Sequence, residues 1–317
     1  MSRLLIEAST PLCLLQDAGR FGVRHLGVTQ GGSLDWRSMA WANWLLGNAL
    51  DASVIEITLG GFSVVAEDDC LLALAGADLA AQLDGQALAP WRSFKLRKGQ
   101  RLQFTQPLAG ARAYLAAPGG FTAPSVLGSQ ATVVREGLGG LDGMGTPLAK
   151  GASLGYSGEA PFLVRALPTQ QVPDFHLDAP LDLVLGAQHG QFSGPSLFDA
   201  FNTAWTLDSR GDRMGIRLLG TALEYQGKPM ISEGIPLGAV QVPPDGQPIV
   251  LLNDRQTIGG YPRLGALTPL SLARLAQCLP GAKVRLKPVV QEVAHRQQVE
   301  YLRRSFPRGA WERSNRQ

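Results

Sequence analysis

Val54-Ile55-Glu56-Ile57-Thr58-Leu59 is a run of apolar and β-branched residues around a single acid, Glu56, and it stops at Gly60-Gly61. Six residues of this kind of text bounded by a turn signal, five of them apolar or β-branched, have the length and composition of a strand. The same text recurs at residues 70–74, 101–104, 113–117, 181–185 and 249–252, punctuated by Gly, Pro and Asp. Helical signals are few. Asp35 is an N-cap ahead of Trp36 to Leu46, which end at Gly47-Asn48. Thr268-Pro269 starts a second helix that Pro280-Gly281 stops, and a third covers about Val290 to Arg304, where Glu300 and Arg304 sit at i,i+4. Strands that do not alternate with helices of 10–15 residues exclude a doubly wound parallel sheet and a (β/α)₈ barrel. The expected class is mainly β with a few helices, divided by a linker at Glu159 to Phe175 that carries Pro161, Pro168 and Pro173.

The 317 residues are about twice a typical domain of roughly 150. With 38 Gly and 21 Pro the chain is turn-rich but stays below the roughly 25–30% that marks low complexity. Three scattered cysteines, Cys13, Cys70 and Cys278, argue against a disulfide framework and suit a reducing compartment. The sequence lacks a membrane-length apolar run, and Arg3 and Glu7 interrupt the N-terminus too early for a secretory segment, so a cytoplasmic protein is expected. The net charge of +3 belongs to the tail. Residues 296–317 hold six arginines against two glutamates, which leaves the remainder near −1 and argues against a nucleic-acid face.

Familiar catalytic patterns are missing: the sequence has no phosphate-binding G-x-x-x-x-G-K-[ST], no H-E-x-x-H, no C-x-x-C and no G-x-S-x-G. His25, His176, His189 and His295 are too far apart to suggest a shared metal. The glycine-dense run Gly137 to Gly145 reads as a loop needing positive φ or close backbone approach, with an anion-holding nest as the alternative. Polar residues interrupt strand-like text in several places. These are Gln16-Asp17-Ala18-Gly19-Arg20-Phe21-Gly22, Gly31-Gly32-Ser33-Leu34-Asp35 with Asn43 and Glu56, and Asp212-Arg213-Met214-Gly215-Ile216-Arg217. Ser232-Glu233-Gly234, Gln241 and Asn253-Asp254-Arg255-Gln256-Thr257-Ile258-Gly259-Gly260-Tyr261-Pro262 complete the set. Each is either a turn stapled by an Asp–Arg pair or a place for planar, bidentate capture of a carboxylate or carboxamide.

At these residues the sequence resembles the KipA family, also called allophanate hydrolase subunit 2 or the C subunit of 5-oxoprolinase, and half of the carboxyltransferase region of urea carboxylase. The resemblance runs from about Leu15 to Ala294. It rests on Gln16 to Gly22, the helix ending at Asn48, Glu56 to Gly61, Ala117 to Phe121, Leu127 to Thr132, Gly211 to Gly220, and the 31 residues Ser232 to Pro262. Departures fall at Gly31, at Gln130 and around Gly143 to Ala152.

The resemblance implies two cyclophilin-like β-barrel subdomains, 1–160 and 161–295, followed by a basic tail, 296–317. It implies a component of an ATP-dependent 5-oxoprolinase, a hydrolase opening the lactam of 5-oxoproline to glutamate. The partners implied are a KipI protein (the B-type component of 5-oxoprolinase) and a LamB/YcsF-type protein (the A-type component), with ATP and Mg in the assembly. Two alternatives stand beside it: one component of a biotin-dependent carboxyltransferase, and a non-catalytic antagonist of a kinase inhibitor. The family-matching candidates for catalysis are Arg213, Glu233, Asp254, Arg255 and Tyr261. Arg213 or Arg255 is expected to hold the substrate carboxylate, Tyr261 or Asp254 to position a proton, and Glu233 to orient a donor. Asp17, Arg20, Asp35, Asn43, Glu56, Arg217, Gln241 and Thr257 are the candidates for substrate binding. Nine of these charged and phenolic residues are expected to converge on one cleft.

Overall fold

The structure is a computed structural model describing residues 2–159, 163–175 and 179–306. Part of the expected linker, His176 and the last eleven residues of the basic tail lie outside the described residues. The protein is mainly β with four α-helices among the described residues. It divides into two compact units: Met1–Phe21, Gly31–Asp174 and Phe306–Gln317 form the first, Gly22–Gln30 and Phe175–Ser305 the second. Gly22–Gln30 thus belongs with sequence that lies far downstream.

In the first unit, strands fall into two antiparallel sheets. One is six-stranded, in the order Ser153–Tyr156, Ser2–Ala8, Phe62–Ala66, Arg101–Phe104, Gln82–Leu83, Gln86–Ala87. The other is five-stranded, in the order Cys13–Gln16, Val54–Thr58, Ala109–Ala116, Cys70–Asp78, Arg92–Leu96. Leu4, Ile6 and Phe62 from one sheet share a core with Ile55, Leu72 and Leu115 from the other. The helix α1 (Trp36–Leu46) packs on Cys70–Asp78 and Ala109–Ala116, so the five-stranded sheet is covered on both faces. That is why the first four residues of Val54–Thr58 are all buried, with no alternation between faces. Asp35 caps α1 as expected, accepting from the amides of Arg37 and Ser38 at 3.1 and 3.3 Å, and Gly47 ends it at φ 74°.

The second unit is one eight-stranded sheet. Its order is Lys283–Val284, Trp205–Leu207, Gly215–Leu219, Ile249–Leu251, Ala239–Gln241, Arg263–Leu267, Leu181–Leu185, Leu286–Val289. The two edge strands are separated in sequence by Arg285 alone, so the sheet curls until its edges meet in a nearly closed barrel, which removes exposed edges. All of its pairings are antiparallel except Leu181–Leu185 with Leu286–Val289. A separate ribbon pairs Glu233–Gly234 with Ile258–Gly259.

One helix was not expected from sequence. The helix α2 (Gly194–Asn202) is started by Ser193, whose hydroxyl accepts from the Ser196 amide at 3.3 Å, with Pro195 in the first turn. Ser193-Gly194-Pro195 resembles a turn, and the start is legible only as a cap followed by Pro. The helix α3 (Pro269–Leu275) is shorter than the span to Pro280 suggested, and α4 (Gln291–Ser305) matches its expected position. No helix among the described residues is long and apolar enough to cross a membrane.

Candidate functional site

In the first unit, each candidate is held in a hydrogen-bond network, buried for all but Asp17, which is partly buried. Asp17 accepts from the Gly19 amide, the Ser129 hydroxyl and the Gln130 amide, all at 2.7 Å. Arg20, 1% exposed, donates to Val126 O at 3.0 Å and Ala131 O at 2.7 Å. Asp17 and Arg20 therefore grip the 126–131 loop rather than each other. Arg20 lies over Gly139, where a Cβ would run into its guanidinium and into Ala131 O, and Gly139 has φ +67°. The glycine-dense run thus serves close approach, as the plainer of its two readings expects.

Asp35 also accepts the Ser38 hydroxyl at 2.6 Å and lies 3.6 Å from Arg37 Nε. The Tyr114 hydroxyl accepts from the Asp35 amide and donates to Glu56, both at 2.8 Å, and Glu56 takes the Leu34 amide at 2.9 Å. Burial first, then the charges of Glu56 and Asp35, holds the Tyr114 phenol well above its usual range. Asn43 donates to Leu50 O and Ala52 O and accepts from Asn48 at 2.9 Å. This is how the entry and exit of α1 are fixed.

A separate cleft of about 570 Å³ in this unit is lined by Ser2, Asp69, Cys70, Lys95, Tyr156 and Gly158 among others, and none of the candidate residues lines it. Burial pushes the Cys70 thiol up to about 11, so it is a poor nucleophile at neutral pH.

In the second unit the candidates gather around the ribbon. Glu233 pairs with Arg263 and accepts from Gln188 Nε2 at 3.2 Å, while Arg263 also donates to Gly234 O at 3.1 Å. Gln188 in turn lines a cleft of about 470 Å³ with Gln191, Tyr225, Gln226, Gly227, Lys228 and Met230. Glu233 therefore orients an amide donor at the edge of an amide-lined cleft. Gln188 Oε1 is buried without a hydrogen-bond partner. Gln241, 2% exposed, points its amide toward Tyr261 O at 3.5 Å, and a Cβ on Gly259 would meet that amide at 3.2 Å. The Tyr261 side chain is 47% exposed.

The two arginines weighed for a carboxylate differ. Arg213 forks onto Asp254, with Nε and Nη2 at 3.0 and 3.1 Å from its two oxygens. Arg255, 3% exposed, donates to Leu252 O and Ile235 O, both at 3.2 Å, and Arg24 reaches the same Ile235 carbonyl and Thr257 O. Burial first, then the charge of Arg24, pushes the Arg255 guanidinium down to about 9, which leaves it cationic at neutral pH. Arg217 sits apart on the strand Gly215–Leu219, paired with Asp245.

The chain matches the carboxyltransferase domain, subdomain A and B, over residues 26–288. The chain belongs to the carboxyltransferase domain family. It is 36% identical over 316 residues to the C subunit of the Escherichia coli (strain K12) 5-oxoprolinase, covering 95% of this chain and 96% of that one. It is 34% identical over 295 residues to the C subunit of the Haemophilus influenzae 5-oxoprolinase, at 88% and 89% coverage. Among solved structures, TTHA0988 aligns at 34% identity with a TM-score of 0.80, over 90% of this chain and 56% of that one. The K. lactis urea amidolyase aligns at 23% identity with a TM-score of 0.87, over 95% of this chain and 19% of that one. This carboxyltransferase-family chain thus spans about half of TTHA0988 and about a fifth of the urea amidolyase.

Sequence reasoning missed Arg24 and Gln188. Arg24 follows the Gln16 to Gly22 motif in Gly22-Val23-Arg24-His25-Leu26-Gly27, an Arg-His pair between glycines, which is the one available signal. Gln188 carries none, because its meaning depends on Glu233, 45 residues downstream.

Proposed function

We propose that this protein is one component of a 5-oxoprolinase that opens the lactam of 5-oxoproline to glutamate and acts with other subunits. The observation that carries the reading is end-to-end similarity, at 36% identity, to a protein named as the C subunit of 5-oxoprolinase. The second unit supports it chemically. Lactam opening uses donors for the amide oxygen as it becomes an oxyanion and an acceptor that orients the ring N–H, and the nitrogen takes up a proton as the C–N bond breaks. The amide-lined cleft beside Glu233 supplies both kinds of group.

Arg255 is the catalytic candidate whose fork no carboxylate occupies; Arg213 positions Asp254, and with it the neighbouring Arg255. In this reading Tyr261, exposed beside the ribbon, is the group that carries a proton, since Asp254 is committed to Arg213. In this proposal the partners are a KipI protein as the B-type component and a LamB/YcsF-type protein as the A-type component, with ATP and Mg used in the assembly. Among the described residues no group of three His, Cys, Asp or Glu side chains could hold a metal ion.

The candidates of the first unit, Asp17, Arg20, Asp35, Asn43 and Glu56, are proposed to shape its loops and helix. The test is co-expression with the two partner types, followed by glutamate release from 5-oxoproline. ATP-dependent turnover is expected only with all three proteins. Carboxyl transfer from a biotinylated carrier by the same chain, without lactam opening, would replace this reading with the carboxyltransferase one.

A further inference from the structure

Arg24 and Arg255 pose a charge problem that the described residues leave open. Both donate to one acceptor, Ile235 O, Arg24 through Nη2 and Arg255 through Nε at 3.2 Å, so the two cations are close neighbours. Their other hydrogen bonds also end on carbonyls, Thr257 O at 3.0 Å from Arg24 and Leu252 O at 3.2 Å from Arg255. Among the described residues neither pairs with a carboxylate. Asp254, adjacent to Arg255 in sequence, is spent on Arg213, and Glu233, two residues before Ile235, is spent on Arg263. A carbonyl can hold one guanidinium, but it does not cancel the repulsion between two, and buried charges are ordinarily paired.

Three guanidinium nitrogens, Nε and Nη1 of Arg24 and Nη2 of Arg255, carry no hydrogen bond among the described residues. Arg255 is 3% exposed, while Arg24 is only half-buried and leaves the pair approachable. Arg24 is set by the single 3₁₀ turn Arg24–Leu26, which Gly27 closes at φ 79°.

We infer that Arg24 and Arg255 form a clamp for one small oxyanion, with Arg24 as its outer, specificity-determining arm. The inference rests on the 5-oxoprolinase reading and deepens it. In that reaction the oxyanion is the carboxylate of 5-oxoproline or a phosphate derived from ATP. Guanidinium forks suit both, and the substrate carboxylate is the expected occupant.

The experiment is calorimetric titration of the full chain, alone and with its co-expressed partners, with three probes. These are 5-oxoproline, 2-pyrrolidinone (the same lactam without the carboxylate) and inorganic phosphate. The wild type is expected to bind 5-oxoproline at least tenfold more tightly than 2-pyrrolidinone. Arg24→Gln keeps a donor for the two carbonyls and removes the charge; it is expected to abolish that preference without weakening 2-pyrrolidinone. Phosphate binding that disappears in Arg24→Gln, with 5-oxoproline unaffected, assigns the clamp to phosphate. If both anions bind folded Arg24→Gln within twofold of wild type, or the wild type binds neither, the clamp is wrong. Arg255→Lys keeps a charge and loses the fork; it is expected to weaken the anion about tenfold, and it carries the test if Arg24→Gln does not fold. An assembled complex that shows the anion preference without turning over 5-oxoproline would sink the functional reading and leave the clamp standing.

Discussion

Arg20 and Arg255 look alike in sequence and in burial. Each follows a turn in Gly-rich apolar text, and they are 1% and 3% exposed. Arg20 reaches 106 and 111 residues ahead to Val126 O and Ala131 O and fastens the loop that closes over Gly139. Arg255 stays within its own unit, donates to Leu252 O and Ile235 O, and shares the second acceptor with another cation. Burial of a charge therefore does not separate a loop fastener from a proposed anion clamp. What separates the two is that Arg255 shares its acceptor with a second cation, Arg24.

The largest effect is expected for Arg20→Ala. It removes two charge-assisted hydrogen bonds and strands two carbonyls, each bond to a charged group being worth about 1.5–3 kcal/mol. A loss of about 3–5 kcal/mol in denaturant unfolding is expected, and a loss under about 1 kcal/mol would deny Arg20 its fastening role. Arg213→Ala comes next, because it leaves the Asp254 carboxylate buried without its fork. Breaking such a pair costs about 3 kcal/mol or more, and turnover of the assembled complex is expected to fall with it as Arg255 shifts. Arg213→Ala with unchanged stability and activity would sink the positioning role.

Tyr114→Phe deletes the hydroxyl between the Asp35 amide and Glu56, and a buried unsatisfied partner costs about 1–3 kcal/mol. The measurement is the denaturation midpoint, with turnover of the folded complex unchanged if the first unit is scaffold. A drop in turnover without a change in midpoint would instead bring Glu56 into the site. The smallest effect is expected for Glu300→Gln. Glu300 and Arg304 pair at 3.9 Å on the exposed face of α4, and such pairs contribute under about 0.5 kcal/mol. A melting curve indistinguishable from wild type is the expected result.

The strand text at Val54 to Thr58 and Leu181 to Leu185, the Asp35 cap and the Thr268-Pro269 start could all be read locally, because strand period, capping and proline placement act over a few residues. The helix at Gly194 could not, since Ser193-Gly194-Pro195 serves a turn equally well. Of the candidate site, the 232–262 stretch was legible as a concentration of directional polar groups among glycines. Its internal division was not legible, because Asp254 pairs with Arg213 across 41 residues and not with its own neighbour.

By itself the sequence determined a mainly β chain, its principal strands and caps, and the family to which it belongs. Those depend on local backbone preference and on motifs that stay contiguous. Only the tertiary structure decided which charges are spent and which are left over. Whether Arg24 meets Arg255 at Ile235 O, and whether Arg213 meets Asp254 first, depends on the chain folding positions up to 231 residues apart into one unit. Electrostatic compensation is a property of distance in space, and spacing along the chain carries no measure of it.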